Sequence, residues 1–194
     1  MLSKYLKGRN IILASGSPRR QAFFAELDLD YTIQLKPIDE SFPDTLQGTK
    51  ITDYLAQQKA AAFTDLQAKD ILITSDTIVW FKDKALNKPA DQAEAFEMIS
   101  SLSGKTHQVM TSVCFTSLDQ QITVNDTTHV TFKELTPEEI NYYIEHYQPY
   151  DKAGAYGIQE WFGYIAVTKI EGSHFNVMGL PTHKVYETLM QLAR

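Results

Sequence analysis

The 194-residue sequence has a single cysteine and lacks any long apolar run. Cys114 has no second cysteine for an internal disulfide and no thiolate partners for a zinc site. It stands in an apolar, strand-like run, so we expect a buried, unreactive thiol. No apolar stretch approaches the roughly 20 residues that a membrane span needs. The segment Met1–Tyr5 has no signal-peptide hydrophobic region, so we expect a cytoplasmic protein without a membrane partner.

Basic residues are too few for a general nucleic-acid binder. The chain has 18 Lys and Arg against 24 Asp and Glu, a net charge of −6, whereas nucleic-acid-binding proteins normally carry a basic face. A nucleotide substrate is not excluded, because a small local basic cluster is enough to bind one. The length and the 43% hydrophobic content predict one domain, spanning residues 1–194, with a substantial core.

Strand and helix patterns alternate along the chain, which predicts a mixed α/β domain with a central sheet. Strands are predicted over residues 11–14, 31–35, 71–74, 78–81, 108–117, 122–134 and 161–170. Helices are predicted over residues 18–29, 52–68, 90–102 and 136–147, and from residue 181 onward. The two segments between them that are polar or glycine-rich, 36–48 and 149–157, are predicted to be functional loops.

The segment Ile11–Arg20 is the clearest indication of function. An apolar strand pattern ends in a turn of small residues; Ser17 can then cap a helix with its hydroxyl, and Pro18 suits the first helical position. Arg19 and Arg20 oppose the helix dipole, so they do not serve to stabilise that helix. Free helix-start amides beside paired guanidinium groups suit an anion, and a phosphate chain fits best. The alternative is a surface helix start with two solvated arginines.

Asp76 stands out among the carboxylates, because it interrupts the apolar stretch Ile71–Phe81. A charge there is costly unless it is paired, hydrogen-bonded or at a cleft, so we interpret it as functional; a strand-end turn cap is the alternative. Asp39 and Glu40 form an acidic pair in the first predicted loop. Such pairs are usually just solvated, but beside a polyphosphate they become candidate magnesium ligands.

Two lysines and a glutamine complete the candidate residues. Lys59 lies among small alanines, which let another element approach closely, and Lys88 precedes a proline at a loop-to-helix junction. Each could be an ordinary surface lysine, but together with the two arginines they would neutralise a triphosphate. Gln159 offers a donor and an acceptor with which to recognise a base edge, unless its glycine-rich segment is simply a turn.

Taken together, these segments resemble the Maf family of nucleoside triphosphate pyrophosphatases. The matching motifs occur in the family's order and cover almost the whole chain. They are Leu13–Arg20, Ile38–Glu40, Leu55–Ala56 with Lys59–Ala60, Ser75–Val79, Lys88–Pro89, Leu102–Gly104 with His107 and Val109, Asp151–Gln159, and Gly172–Ser173 with Asn176–Val177 and Gly179–Pro181. One such motif would be weak, whereas the ordered set is specific.

The resemblance implies a cytoplasmic enzyme that uses Mg²⁺ or Mn²⁺ to hydrolyse the α–β phosphoanhydride of a nucleotide, releasing a nucleoside monophosphate and pyrophosphate. It implies the mixed, strongly twisted α/β sheet of inosine triphosphate pyrophosphatases (Ham1-like), with two lobes around a cleft, and often a homodimer. One alternative is a nucleotide-binding regulator of septum formation, which the family's older name reflects, with weak or incidental hydrolysis. Another is a purine-directed pyrophosphatase, which differs only at the base pocket.

The resemblance also assigns roles to single residues. Asp76 matches the catalytic proton acceptor, and it could share a metal ion with Asp39 or Glu40. Phosphate-site positions are matched by Ser15, Arg19, Lys59 and Lys88, and Ser17 and Arg20 lie in the same motif as the first two.

The positions that set base choice are Arg19, Thr77 and Gln159. A threonine after the aspartate, with glutamine at the later position, resembles the subfamily acting on dTTP and UTP, and modified pyrimidine nucleotides are possible substrates. A related subfamily acting on 7-methyl-GTP typically differs at those two positions. One departure from the family pattern is that Glu160 and Trp161 follow Gln159, where a small residue commonly stands.

Overall fold

The computed structural model describes residues 1–193, which form two compact units. The first unit comprises Met1–Asp76, Thr111–Asp126 and the described residues from Gly179 onward, and the second comprises Thr77–Met110 and Thr127–Met178. The chain therefore passes from the first unit to the second at two peptide bonds, Asp76–Thr77 and Asp126–Thr127. No helix in the described part of the chain is long and apolar enough to cross a membrane.

The described residues form eight α-helices and seven strands. The helices are α1 (Leu2–Tyr5), α2 (Pro18–Glu26), α3 (Thr49–Ala61), α4 (Gln92–Leu102), α5 (Pro137–Tyr147), α6 (Trp161–Ala166), α7 (His174–Val177) and α8 (Thr182–Leu192). The strands are β1 (Asn10–Leu13), β2 (Tyr31–Ile33), β3 (Asp70–Phe81), β4 (Lys84–Leu86), β5 (Thr106–Thr116), β6 (Gln121–Phe132) and β7 (Val167–Glu171).

The strands build one mixed sheet in the order β2-β1-β3-β5-β6-β7, with β4 paired to β3. Strand β1 is parallel to both neighbours, so that Ile12 lies opposite Thr32 on one side and Leu72 on the other. Pairs β3–β4 and β6–β7 are antiparallel. The predicted mixed α/β fold with a central sheet is confirmed.

Each unit has its own apolar core. In the first unit, the apolar face of α3 packs against strand residues that include Ile12 and Leu72. Cys114 belongs to this core and is fully buried, as predicted. In the second unit, the core gathers side chains from α4, α5 and α6 against the sheet, among them Ile99, Tyr143 and Phe162.

The prediction of a strand over residues 161–170 is wrong in its first half. Trp161–Ala166 is helix α6, and strand β7 starts only at Val167. The aromatic and β-branched residues of this segment favour a strand. However, Phe162 and Ala166 are its buried members, and their spacing of four residues puts them on one face of a helix.

Two smaller predictions also need correction. The helix predicted over residues 52–68 runs from Thr49 to Ala61, because Thr64 and Asp65 beyond it are poor helix formers. Residues 71–81 are one continuous strand rather than two strands about a turn, so Asp76 is not a strand-end cap. The capping threonine, proline and glutamate predicted at residues 136–139 are confirmed as a full capping box.

Candidate functional site

Asp76 and Lys59 form an ion pair that is largely shielded from water. The Nζ atom of Lys59 lies 2.7 Å from Oδ1 of Asp76, and the two side chains are only 18% and 12% exposed. Lys59 extends from the last turn of α3, whereas Asp76 lies within β3. A desolvated charge needs a partner, so each of these groups accounts for the burial of the other.

Glu40 brings a second carboxylate to the same ammonium group. Its Oε1 atom lies 2.8 Å from Nζ of Lys59, and the glutamate side chain is half exposed. Glu40 belongs to the irregular segment 34–48, which was predicted to be a loop over residues 36–48. Two carboxylates from distant parts of the sequence therefore converge on one nitrogen atom.

Asp39 is engaged differently from its neighbour Glu40. Its two carboxylate oxygens accept hydrogen bonds from the backbone N–H and the hydroxyl of Ser41, both at 2.9 Å. These bonds, the backbone one first, lower the pKa of the Asp39 carboxyl group. Of the acidic pair, Glu40 is thus the member that the structure brings to Asp76.

The turn between β1 and α2 is held by Ser15. Its buried hydroxyl accepts from the backbone N–H of Ser17 at 3.3 Å and from Nη1 of Arg20 at 3.5 Å. Ser17 is the N-cap residue of α2, as predicted, but among residues 1–193 its side chain finds no capping N–H. The hydroxyl of Ser15, two residues earlier, satisfies an amide of this turn instead.

Arg20 ties three segments of the first unit together. Its Nε donates to the carbonyl of Gly179 at 2.8 Å, and its Nη1 donates to the carbonyl of Ser75 at 3.1 Å. Ser75 is the residue before Asp76, so Arg20 fixes the strand backbone next to the ion pair. The guanidinium thus positions the turn and the strand, and direct contact with phosphate remains a prediction.

The charges around Arg20 show which groups share its surroundings. The pKa of the Arg20 guanidinium is lowered, mainly by burial. The Asp76 carboxylate raises this pKa, the neighbouring Arg19 lowers it, and the Glu40 carboxylate raises it. An arginine stays protonated under such influences. The first unit therefore holds two guanidinium groups and an ammonium group in the same electrostatic neighbourhood as two carboxylates.

The second unit holds the other three predicted residues. Thr77, half-buried, directly follows Asp76 in β3, exposed Lys88 lies between β4 and α4, and half-buried Gln159 precedes α6. The N–H of Gly154 donates to the carbonyl of Asn87 at 3.1 Å, so the segments of Lys88 and Gln159 are joined. Thr77, Lys88 and Gln159 therefore all belong to the second unit.

Three polar residues around Gln159 were not singled out from the sequence. Lys152 is buried, with Nζ 3.1 Å from Oε1 of Glu160, and the hydroxyl of Tyr143 donates to Oε2 of Glu160 at 2.5 Å. A lysine inside a segment rich in glycine and alanine is the signal that could have pointed to this cluster. Glu160 was noticed only as a departure from the family pattern.

Oxygen ligands are the chemistry that a divalent cation such as Mg²⁺ prefers. Among residues 1–193, no three His, Cys, Asp or Glu side chains are grouped as a complete metal site. Glu40 and Asp76 nonetheless offer two carboxylates at one point, and Mg²⁺ commonly binds proteins through one or two carboxylates plus substrate phosphates. The residues present therefore fit a metal ion that arrives with a phosphate chain.

The sequence of this chain is similar to those of known proteins. Residues 10–192 match the family model described as Maf-like protein. A protein of Flavobacterium johnsoniae named dTTP/UTP pyrophosphatase is 58% identical over 99% of this chain and 100% of its own length. Proteins with the same name from Christiangramia forsetii and Bacteroides fragilis are 56% and 51% identical, over 99% and 94% of this chain and 98% and 95% of theirs.

The fold also resembles a solved structure of low sequence identity. A HAM1 protein from Coxiella burnetii superposes with a TM-score of 0.52, at 14% identity, over 94% of this chain and 99% of that protein. At this level of identity the likeness concerns the fold alone. The predicted Ham1-like fold is thereby confirmed.

Proposed function

Because this chain belongs to the family of Maf-like proteins, we propose that it is a nucleoside triphosphate pyrophosphatase acting on dTTP and UTP. The products are the nucleoside monophosphate and pyrophosphate, and the activity removes nucleotides from the cellular pool. Relatives at 51–58% identity over nearly the whole chain carry the name dTTP/UTP pyrophosphatase. The observation that carries the proposal is the shielded ion pair of Asp76 and Lys59, with Glu40 on the same ammonium group.

The reaction needs a water molecule aimed at the α-phosphorus and charge balance on the phosphate oxygens. Water forms the new P–O bond, the anhydride bond to the β-phosphate breaks, and its electron pair leaves with pyrophosphate. Asp76 accepts the proton of the attacking water. Lys59 and Arg19 offset the charge that spreads over the phosphate oxygens in the transition state. Lys88 is the further phosphate-site residue that the resemblance implies.

A divalent metal ion, Mg²⁺ or Mn²⁺, belongs to the same proposal. Glu40 and Asp76 would hold it, and when bound it would act as a Lewis acid toward the phosphate oxygens. Glu40 is preferred over Asp39 because the Asp39 carboxylate is already used by Ser41. Metal dependence is supported by the convergence of two carboxylates and is tested directly by chelation.

Base choice is assigned to Thr77 and Gln159, with Arg19. A hydroxyl and a primary amide together provide donors and acceptors that match the polar edge of a pyrimidine. A site of this kind rejects a wrong base because its own polar groups are left unpaired. The proposed enzyme acts in the cytoplasm, where its substrates are used, and the homodimer implied by the resemblance is tested by analytical ultracentrifugation.

Pyrophosphate release from a panel of nucleoside triphosphates tests the function. The panel is run with Mg²⁺, with Mn²⁺ and with EDTA, on the unmodified protein and on Asp76→Asn. We expect release from dTTP and UTP that disappears with EDTA and in the variant. Release chiefly from a purine nucleotide would keep the chemistry but contradict the roles of Thr77 and Gln159. Nucleotide binding without any release would instead support the septum-regulator alternative.

A further inference from the structure

A buried polar cluster in the second unit surrounds the turn that carries Gln159. Lys152, 8% exposed, forms ion pairs with Asp151 at 2.6 Å and with Glu160 at 3.1 Å. Glu160 is the residue next to Gln159 and the N-cap residue of α6. A buried ammonium group is costly unless it is paired, so Lys152 holds the carboxylate of Glu160 firmly in place.

Tyr143 connects this cluster to both sides of the turn. It is fully buried on α5, and its hydroxyl donates to Oε2 of Glu160 at 2.5 Å. The same hydroxyl accepts from the backbone N–H of Gly157 at 3.0 Å. One side chain on a helix thus holds the residues immediately before and after the Ile158–Gln159 dipeptide. Burial first, and then the hydrogen bond to Glu160, raise the pKa of Tyr143, which keeps the hydroxyl protonated as a donor.

Gly157 leaves room for the side chain of Gln159 itself. A Cβ atom at this position would lie 2.8 Å from Cδ of Glu160 and 3.1 Å from Nε2 of Gln159. The carboxylate of Glu160 and the amide of Gln159 therefore both cover the bare Cα of Gly157. Gln159 is packed against the same backbone atoms that Tyr143 and Glu160 hold.

We propose that Tyr143 and Lys152, acting through Glu160, are positioning residues that fix the orientation of the Gln159 side-chain amide and so set pyrimidine selectivity. The inference rests on the proposed function, in which Gln159 recognises the base. A glutamine amide that rotates by half a turn exchanges its donor and its acceptor. Uracil and thymine present a carbonyl where cytosine presents an amino group. An amide held in one orientation therefore discriminates between UTP and CTP, whereas an amide that is free to rotate can hydrogen-bond to either base.

The test compares kcat/KM for UTP and for CTP across matched variants. In Tyr143→Phe we expect the ratio of UTP over CTP to fall about tenfold, the effect of losing about one buried hydrogen bond of positioning. The change should arise in the KM values, with kcat for UTP staying within a factor of about two, because the reacting groups are untouched. Glu160→Gln should lower the ratio in the same direction.

Tyr156→Phe is the matched control. It removes a buried hydroxyl from the segment between α5 and α6 that also carries Gln159. The Tyr156 hydroxyl contacts His107 at 2.8 Å, so its partner differs from those of the Tyr143 hydroxyl. If Tyr143→Phe and Tyr156→Phe lower the UTP/CTP ratio equally, general loosening explains the effect and the positioning role is overturned. Thermal unfolding of each variant shows whether the two substitutions cost similar stability.

Gln159→Ala separates this inference from the function on which it rests. A ratio that collapses in Gln159→Ala but stays unchanged in Tyr143→Phe would overturn the positioning role and leave base recognition by Gln159 standing. A ratio that is unchanged in both variants would overturn both assignments. A drop in both, with Tyr156→Phe unaffected, is the result that supports the proposal.

Discussion

The ammonium group of Lys59 and the carboxylate of Asp76 are 2.7 Å apart and almost closed off from solvent. This differs from the surface pair of Lys169 and Glu171, in which both side chains are about 60% exposed at the same distance. A surface pair is screened by water and contributes little, whereas a shielded pair is screened less. Loss of the Lys59 charge would therefore leave two carboxylates, those of Asp76 and Glu40, without the cation that they share.

Replacement of Lys59 by methionine should strongly reduce catalysis. The substitution keeps much of the side-chain volume but removes the charge, and loss of one preorganised group that stabilises the transition state typically lowers kcat by about 100-fold or more. Steady-state pyrophosphate release from UTP measures the effect. Lys169→Met is the control, since it removes a lysine from an exposed ion pair, and an equal loss in both variants would contradict the role of Lys59.

Removal of the Thr136 hydroxyl should destabilise the second unit modestly. Thr136 accepts from the N–H of Glu139 at 3.3 Å and Glu139 accepts from the N–H of Thr136 at 3.0 Å, which completes the capping box of α5. Thr136→Ala should lower the free energy of unfolding by about 1 kcal/mol, as read from urea denaturation. Thr168→Ala, which loses an exposed hydrogen bond, should cost less, and the reverse order would contradict the capping role.

His107 should make stability fall as the pH is lowered. Burial lowers the pKa of His107 to about 3, whereas in the unfolded chain the group titrates near its ordinary value of 6.5. Between these values the unfolded state binds the proton and the folded state does not, so unfolding is favoured by up to about 1.4 kcal/mol per pH unit below pH 6.5.

Urea denaturation of the unmodified protein and of His107→Gln between pH 7 and about pH 4 measures this contribution. Glutamine can replace the hydrogen bond that the ring makes with the Tyr156 hydroxyl at 2.8 Å, but it does not titrate. We therefore expect the unmodified protein to lose its stability advantage over the variant as the pH falls. Parallel pH profiles would show that the buried imidazole is not the source of the slope.

Gly163 should tolerate no side chain. A Cβ atom there would lie 1.7 Å from the carbonyl oxygen of Ile158, so the backbone of the turn before α6 must move. Gly163→Ala should lower the free energy of unfolding by about 3 kcal/mol. Gly16→Ala is the comparison, because its added methyl group would meet the Leu35 side chain at an ordinary 3.5 Å. Similar losses in both variants would contradict this packing argument.

Sequence patterns predicted the structure best where they carry a direct physical cost. Asp76 was singled out because a carboxylate in an apolar strand needs a partner, and the structure supplies Lys59. Ser17 and Pro18 marked a helix start correctly, since proline fixes the backbone angle of the first helical residue. Which carboxylate of Asp39 and Glu40 approaches Asp76 depends on a hydrogen-bonded turn at Ser41, which no local pattern determines.

The parts that the sequence did not predict depend on contacts between distant segments. Arg20 was expected at a phosphate, but its hydrogen bond to Gly179 joins residues 159 positions apart. Helix α6 was taken for a strand because its aromatic residues satisfy the strand pattern, whereas the structure buries Phe162 and Ala166 on one face of a helix. Tertiary contacts of this kind outweigh local propensity.

The division of the chain at Asp76 and Thr77 has an evolutionary consequence. Under the proposed roles, one peptide bond separates the residue that promotes hydrolysis from a residue that chooses the base. Substitutions at Thr77 or Gln159 can then alter nucleotide preference while Lys59, Glu40 and Asp76 are kept in the sequence. Descendants of one ancestral hydrolase could thus acquire different nucleotide targets by divergence of a single unit, and grafting that unit from a relative offers the same route to protein engineers.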